Sequence, residues 1–269
     1  MTRYAAMFER CVSRGEGAFG GFLMIGDPDA ERSEALLDAL VEGGVDMVEL
    51  GIPFSDPVAD GPVVQAAGQR ALEAGVRTAD CLRILAAFRR RHPAIPVGIL
   101  TYANIVAARG IEGFARELAD AGVDSLLVAD VPTLEAEPYA AAARAAGIDL
   151  VMIAAPNTPR PALTRIAHLS SGYTYCVARP GVTGTRPDLK LDHQPLFEGL
   201  RELGAPPPIV GFGISSSEQV RQAIESGAAG AVSGSALVDV VGRGGCPAEL
   251  ASLVRKLKAA TLPAEAALI

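Results

Sequence analysis

The sequence predicts an α/β protein built as a (β/α)8 TIM barrel, one domain over residues 1–269, on three observations. The length of 269 residues falls near the ~250 that one such barrel occupies. Strand-like apolar runs alternate with helix-like stretches along the chain, which implies parallel strands joined by right-handed crossovers. Four segments, opening at Gly44, Gly122, Gly147 and Gly227, repeat one joint: a helix-like stretch runs into Gly, then an apolar residue, then a short apolar run. The glycine can take the left-handed conformation that ends a helix, the next residue packs back on that helix, and the run suits a strand buried on both faces.

The first strand, Phe19 to Ile25, leads into the helical pattern Glu31 to Glu42, rich in Ala and Leu with acidic residues early. Met47 to Gly51 follows the Gly44 joint as the second strand. A helix over Ala79 to Arg90 precedes the third strand, Val97 to Thr101, and one over Ile111 to Ala121 precedes the fourth, Ser125 to Ala129. Glu135 to Ala146 leads through Gly147 to the fifth, Leu150 to Ile153. Tyr173 to Val177 is the sixth, and Pro206-Pro207-Pro208 makes a stiff entry to the seventh, Ile209 to Phe212. The helix Ser216 to Ser226 leads to the eighth, Ala231 to Ser233, and the tail carries helical spacing at Leu250, Leu253, Val254 and Leu257 before relaxing beyond Pro263. No G-x-G-x-x-G follows the first strand, so a closed barrel is preferred to an open dinucleotide-binding sheet.

Composition excludes several classes of function. The net charge is -7 and the basic residues are scattered, which leaves no stripe for nucleic acid. No apolar run approaches ~20 residues and the start lacks a signal-peptide core, so neither membrane nor export is expected and the location is cytoplasmic. Cys11, Cys81, Cys176 and Cys246 lie far apart and read as buried reduced thiols; with only His92, His168 and His193 besides, no metal centre is expected.

Active sites of such barrels lie at the C-terminal ends of the strands. Glu49 stands there, inside an apolar strand, where an ionised and unpaired carboxylate costs several kcal/mol and its pKa must rise, as a general acid requires. A buried carboxylate satisfied by a hydroxyl or an Arg is the structural alternative; the place at a barrel mouth favours chemistry. The following loop, Gly51 to Pro62, is dense in Pro, Gly and Asp. Asp56 there reads as a turn former or surface contact, and Asp60 as either a turn former or a second carboxylate reaching back towards Glu49.

Two glycine clusters, Gly211-Phe212-Gly213 and Ser233-Gly234-Ser235, follow the seventh and eighth strands, where barrel enzymes often hold phosphate. Glycines let backbone N–H groups approach, and a short helix starting at Ser235 would aim its positive end at an anion, compensating for the scarcity of lysine. The segment Ala178 to Pro187 reads as a closing lid or a plain surface loop. The only lysines, Lys190, Lys256 and Lys258, sit at no strand end, which removes Schiff-base chemistry; what remains is carboxylate acid–base chemistry on a phosphorylated small molecule, without cofactor or metal.

The run Leu50-Gly51-Ile52-Pro53-Phe54-Ser55-Asp56-Pro57-Val58-Ala59-Asp60-Gly61-Pro62 resembles the tryptophan synthase alpha subunit family. Gly26-Asp27-Pro28, Tyr102-Ala103-Asn104, Val128-Ala129-Asp130-Val131-Pro132, Gly181-Val182-Thr183-Gly184, Gly211-Phe212-Gly213-Ile214 and Gly234-Ser235 support the resemblance in family order. It implies cofactor-free cleavage of indole-3-glycerol phosphate to indole and glyceraldehyde 3-phosphate by a reverse aldol reaction. Glu49 would be the acid–base group at indole C3 and the glycerol hydroxyl, and Asp60 would accept the indole N–H. Phe22, Leu100, Tyr102, Ala129, Ile153, Tyr175 and Phe212 match pocket-lining positions, where a barrel-core role is also open. Gly184, Gly213, Gly234 and Ser235 match the phosphate site, and Thr183 the lid residue that closes towards Asp60.

The resemblance also implies a PLP-dependent beta subunit in an alpha2beta2 assembly, with Pro53, Asp56 and Asn104 on the contact side. Gly21, Met24, Ala178 and Pro180 depart from the family pattern, which implies altered lid motion or weaker coupling to that subunit. A stand-alone lyase releasing free indole would use the same residues. A non-catalytic scaffolding subunit would need a broken pocket, and an isomerase of another sugar phosphate would fit the loops but not an aromatic-lined pocket.

Overall fold

A computed structural model of the chain describes residues 1–177 and 193–262. Its strands are β1 (Ala18–Met24), β2 (Met47–Gly51), β3 (Val97–Thr101), β4 (Ser125–Val128), β5 (Asp149–Leu150), β6 (Ile153–Ala154), β7 (Thr174–Val177), β8 (Pro208–Gly211) and β9 (Gly230–Ser233). All ladders are parallel, in the order β5-β4-β3-β2-β1-β9-β8-β7-β6. The two outermost strands are successive pieces of one chain run, so the barrel closes through it. Val151 N–H donates to Leu126 O at 2.9 Å, and Tyr175 N–H donates to Met152 O at 3.0 Å.

That run was expected as one strand, Leu150 to Ile153. It is split because its first half pairs with β4 and its second with β7, and the partner changes at Val151-Met152. Eight strand positions therefore stand around the barrel, as the alternation of the sequence implied.

The helices are α1 (Arg3–Ser13), α2 (Ala30–Glu42), α3 (Pro62–Glu73), α4 (Thr78–Arg91), α5 (Ala103–Ala107), α6 (Ile111–Asp120), α7 (Glu137–Ala146), α8 (Arg160–Leu169), α9 (Gln194–Glu202), α10 (Ser217–Glu225), α11 (Ser235–Gly242) and α12 (Pro247–Lys258). Among the described residues, no helix is long and apolar enough to cross a membrane. The four joint glycines all have positive φ: 94° at Gly44, 82° at Gly122, 75° at Gly147 and 99° at Gly227. Each joint is therefore built in the left-handed conformation that only glycine adopts without a steric cost.

The aspartate two residues after the glycine has its own task in two of these joints. Asp46 accepts the N–H of Phe19 and Asp124 that of Val97, each at 2.8 Å, so each joint caps the first free donor of the strand beside it. Asp124 also receives Arg3 at 2.8 Å and Arg89 at 2.6 Å. The Arg89 guanidinium further donates to Gly122 O at 2.8 Å and Ile95 O at 2.7 Å, which locks the end of α4 under β3 and β4. Helix α1, absent from the expected elements, closes this lower end: Tyr4, Met7 and Cys11 are buried on its inner face. Cys81 and Cys176 are buried as expected, but Cys246 is exposed, because it stands at the surface where α12 begins rather than in the core.

Arg89→Ala should leave Asp124 with Arg3 as its remaining cation, strip Gly122 O and Ile95 O of the guanidinium donor and destabilise the fold by about 3 kcal/mol. Equilibrium urea unfolding followed by circular dichroism measures this; a change under about 0.5 kcal/mol would show that the cluster contributes little.

Candidate active site

Glu49 lies in the middle of β2, paired in register with Phe22 on β1 and Gly98 on β3. It is 1% exposed. The Tyr173 hydroxyl, four residues beyond α8, donates to its Oε1 at 2.8 Å. Beneath them the Tyr4 hydroxyl and Ser125 Oγ share a hydrogen bond of 2.8 Å, and the Tyr4 and Tyr173 rings lie 5.2 Å apart. These hydroxyls converge where β3 carries no side chain: a Cβ on Gly98 would fall 2.9 Å from Ser125 Oγ and 3.1 Å from the Tyr4 hydroxyl. Burial pushes the Glu49 carboxyl up to about 7, against the opposing pull of the Tyr173 hydrogen bond.

Asp60 closes the loop after β2, one residue before the glycine that caps α3, and is 5% exposed. Burial raises its pKa to about 6, and a hydrogen bond from the Tyr102 hydroxyl opposes the rise. Tyr102 is held in turn by the Ala59 N–H, at 3.3 Å, and by Phe54, stacked on its ring at 5.4 Å.

Phe22, Glu49, Asp60, Leu100, Tyr175, Phe212, Gly213, Gly234 and Ser235 line one chamber. The structure thus brings most of the expected site residues together. Tyr102 reaches the chamber through Asp60. Ala129 and Ile153 do not line it; they border an adjoining apolar cleft with Val131 and Tyr139, beside the split strand. Thr183, Gly184, Ala178 and Pro180 lie outside the described residues. Val64 and Val232 also line the chamber and were missed. Val64 could have been found, since it falls in the first turn of the helix that Asp60 introduces.

On another stretch of the chamber lining, β8 ends at Gly211, and Phe212 and Gly213 follow with φ of 58° and 96°. The left-handed conformation of Phe212 costs on the order of 1–2 kcal/mol and is held from two sides. Its N–H donates to the Tyr175 hydroxyl, and the two rings meet edge to face at 5.3 Å. Only glycine fits at 211, because a Cβ there would lie 1.9 Å from the Tyr175 hydroxyl. Ser233 Oγ donates to Ile214 O at 2.8 Å and ties this turn to the start of α11. Among the described residues no lysine or arginine lines the chamber, so backbone N–H groups and the positive end of α11 are what it offers an anion.

Residues 8–267 match the family described as tryptophan synthase alpha chain. The tryptophan synthase alpha chain of Aeromonas hydrophila is 51% identical over 241 residues, 90% of each chain. That of Francisella tularensis is 47% identical over 266 residues, 97% of this chain and 99% of the relative. The chain belongs to the tryptophan synthase alpha chain family. It is a carbon–carbon lyase that cleaves indole-3-glycerol phosphate. Solved structures agree: one from Aquifex aeolicus has a TM-score of 0.88 at 34% identity, covering 98% of this chain and 100% of its own. Mycobacterium tuberculosis tryptophan synthase gives 0.88 at 32% identity, covering 97% and 99%.

The two departures from the family pattern that the structure describes are packing features. A Cβ at Gly21 would meet Leu40, Val45 and Leu237 at 3.2–3.3 Å, so α2 and α11 press on bare backbone there. Met24 is buried, with its thioether lying over Gly51.

The raised pKa of Glu49 makes stability depend on pH. Its carboxyl titrates at the ordinary 4.5 when exposed and at about 7 when folded. The folded state therefore holds the proton more tightly; the stabilisation is complete below 4.5, declines as pH rises and is lost above 7, a difference on the order of 3 kcal/mol. Glu49→Gln should stabilise the protein at pH 8 by up to that amount and hardly at all near pH 4. Urea unfolding at the two pH values tests this, and an equal effect at both would contradict it.

Proposed function

We propose that Glu49 and Asp60 carry out the reverse aldol cleavage of indole-3-glycerol phosphate, with the phosphate held by Gly213, Gly234 and Ser235. The supporting observation is one chamber lined both by a buried carboxylic acid, pushed up to about 7, and by glycine turns that, among the described residues, bring no lysine or arginine with them. Protonated Glu49 delivers a proton to indole C3, leaving the ring as an indolenine cation. Asp60, ionised, accepts the ring N–H and offsets that charge. The bond from C3 to the glycerol carbon then breaks, its electron pair returns to the ring, and the glycerol hydroxyl gives its proton to the Glu49 carboxylate as the aldehyde forms. Phe22, Leu100, Tyr175 and Phe212 supply the apolar walls for the ring, and Tyr102 orients Asp60. Ala129 and Ile153 would serve the ring only from the adjoining cleft, and Thr183 and Gly184 would complete the lid and phosphate site as the resemblance implies. No cofactor takes part in this scheme.

The product indole passes to a PLP-dependent beta subunit in an alpha2beta2 assembly of the cytoplasm, with residues 1–269 acting as one barrel domain. Asp56, on the loop after β2, and Asn104, in the first turn of α5, are exposed at the C-terminal side of the barrel, together with Val58 and Leu134, each 71% exposed, while Pro53 is buried within its loop.

The pH dependence of kcat/KM should be bell-shaped, falling below about 6 as Asp60 gains a proton and above about 7 as Glu49 loses one. Tyr173→Phe removes the hydrogen bond that restrains the Glu49 pKa, so the alkaline limb should move to higher pH. Glu49→Gln should lower kcat by roughly 10²–10⁴, and an active Gln variant would exclude Glu49 as the acid. Indole release should be slow from the isolated chain and rise sharply with the beta subunit; fast release without it would mark a stand-alone lyase.

A further inference from the structure

Helices α3 and α11 both begin at the chamber, the first just after Asp60-Gly61 and the second at Ser235. Where they cross, Gly242 at the end of α11 faces Arg70 on α3: a Cβ at 242 would lie 3.4 Å from both Nη atoms. The same guanidinium grips a third segment. Its Nε donates to Asp27 Oδ1 at 2.7 Å and its Nη2 to Oδ2 at 2.8 Å, a two-pronged pair with Asp27 only 4% exposed.

Asp27 belongs to the turn after β1, the strand that carries Phe22. That turn is tied down as well: Gly26 N–H donates to Ser33 Oγ at 2.9 Å, and the backbone of Gly26 packs on Val76, just beyond α3. Arg70 therefore joins three segments that each supply a chamber wall, without itself lining the chamber. Its charge also sits at the negative end of α11, the helix whose positive end faces the chamber.

We propose that Arg70 is a positioning residue for the phosphate end of the substrate: its fork on Asp27 and its seat against Gly242 set the helix that starts at Ser235 relative to the helix that starts after Asp60. This rests on the reading of Gly213, Gly234 and Ser235 as the phosphate cradle. A fixed fork is what the geometry needs, since lysine would carry the charge but could not bridge both Asp27 oxygens and lie flat against α11.

The test replaces the whole pair, Asp27→Leu with Arg70→Met, so that no buried charge is stranded. Thermal unfolding, kcat and KM for indole-3-glycerol phosphate, and the calorimetric affinity for glycerol 3-phosphate are measured together. A folded double variant should show KM raised about tenfold and glycerol 3-phosphate affinity reduced by about the same factor, with kcat within about threefold of the unsubstituted chain. A stable double variant with unchanged KM and affinity, or with kcat alone reduced, overturns the proposal. Should the double variant fail to fold, Arg70→Lys decides: a several-fold rise in KM supports the fork, and full rescue by lysine overturns it. If the unsubstituted chain cleaves its substrate but does not bind glycerol 3-phosphate, the cradle reading fails and takes this inference with it.

Discussion

Among the described residues, the Glu49 carboxyl meets one hydrogen-bond donor, the Tyr173 hydroxyl, and no cation. In a barrel interior that is an expensive way to keep an ionisable group, and much of the surrounding architecture follows from keeping it there. Gly98 is bare so that three hydroxyls can gather below the acid. Helix α1 closes the lower end and brings Tyr4 into that group, so a segment remote from the mouth of the barrel shapes the surroundings of its acid. Neutral partners are essential to the arrangement: an arginine in place of Tyr173 would satisfy the carboxylate but hold it ionised, with no proton to deliver at neutral pH.

The same restraint extends to the glycine turns that line the chamber. A phosphate ester arrives at a protein of net charge -7, and no cationic side chain greets it among the described residues lining the chamber. Backbone N–H groups and a helix terminus stabilise an anion without adding a mobile positive charge beside Glu49 and Asp60, which would lower the pKa of both carboxyls. The strained Phe212 belongs to this economy, since the left-handed turn it makes with Gly213 places main chain where a side chain would otherwise have to reach.

The features readable from the sequence were those that a local pattern records. The joint glycines, the strand ends and the place of Glu49 follow from spacing within a few residues, and the structure bears out the alternation and the conformation of the joints. The groups that set the behaviour of Glu49 are separated from it or from one another by more than a hundred residues: Tyr173 lies 124 positions away, and Tyr4 lies 121 from Ser125. No periodicity records such pairs. Helix α1 was legible in principle, since Tyr4, Met7 and Cys11 fall at helical spacing. The break within the fifth strand was not, because it depends on which neighbour each half pairs with. Ala129 and Ile153 show the same limit: both end up near the strand ends, but the break beside them opens a separate cleft.

That break makes the barrel a ring of unequal links. In the strand order, β1 stands farthest from the seam between β5 and β6, with β2 and β9 on either side. The seam itself is covalent chain, held on either side by ladders only two residues long, whereas the arc around β1 is joined over five residues on one side and four on the other. Phe22, Glu49 and the start of α11 all belong to that arc. Among the described residues, the strands that carry Phe22 and Glu49 are thus joined by the longest ladder of the sheet, five residues in register.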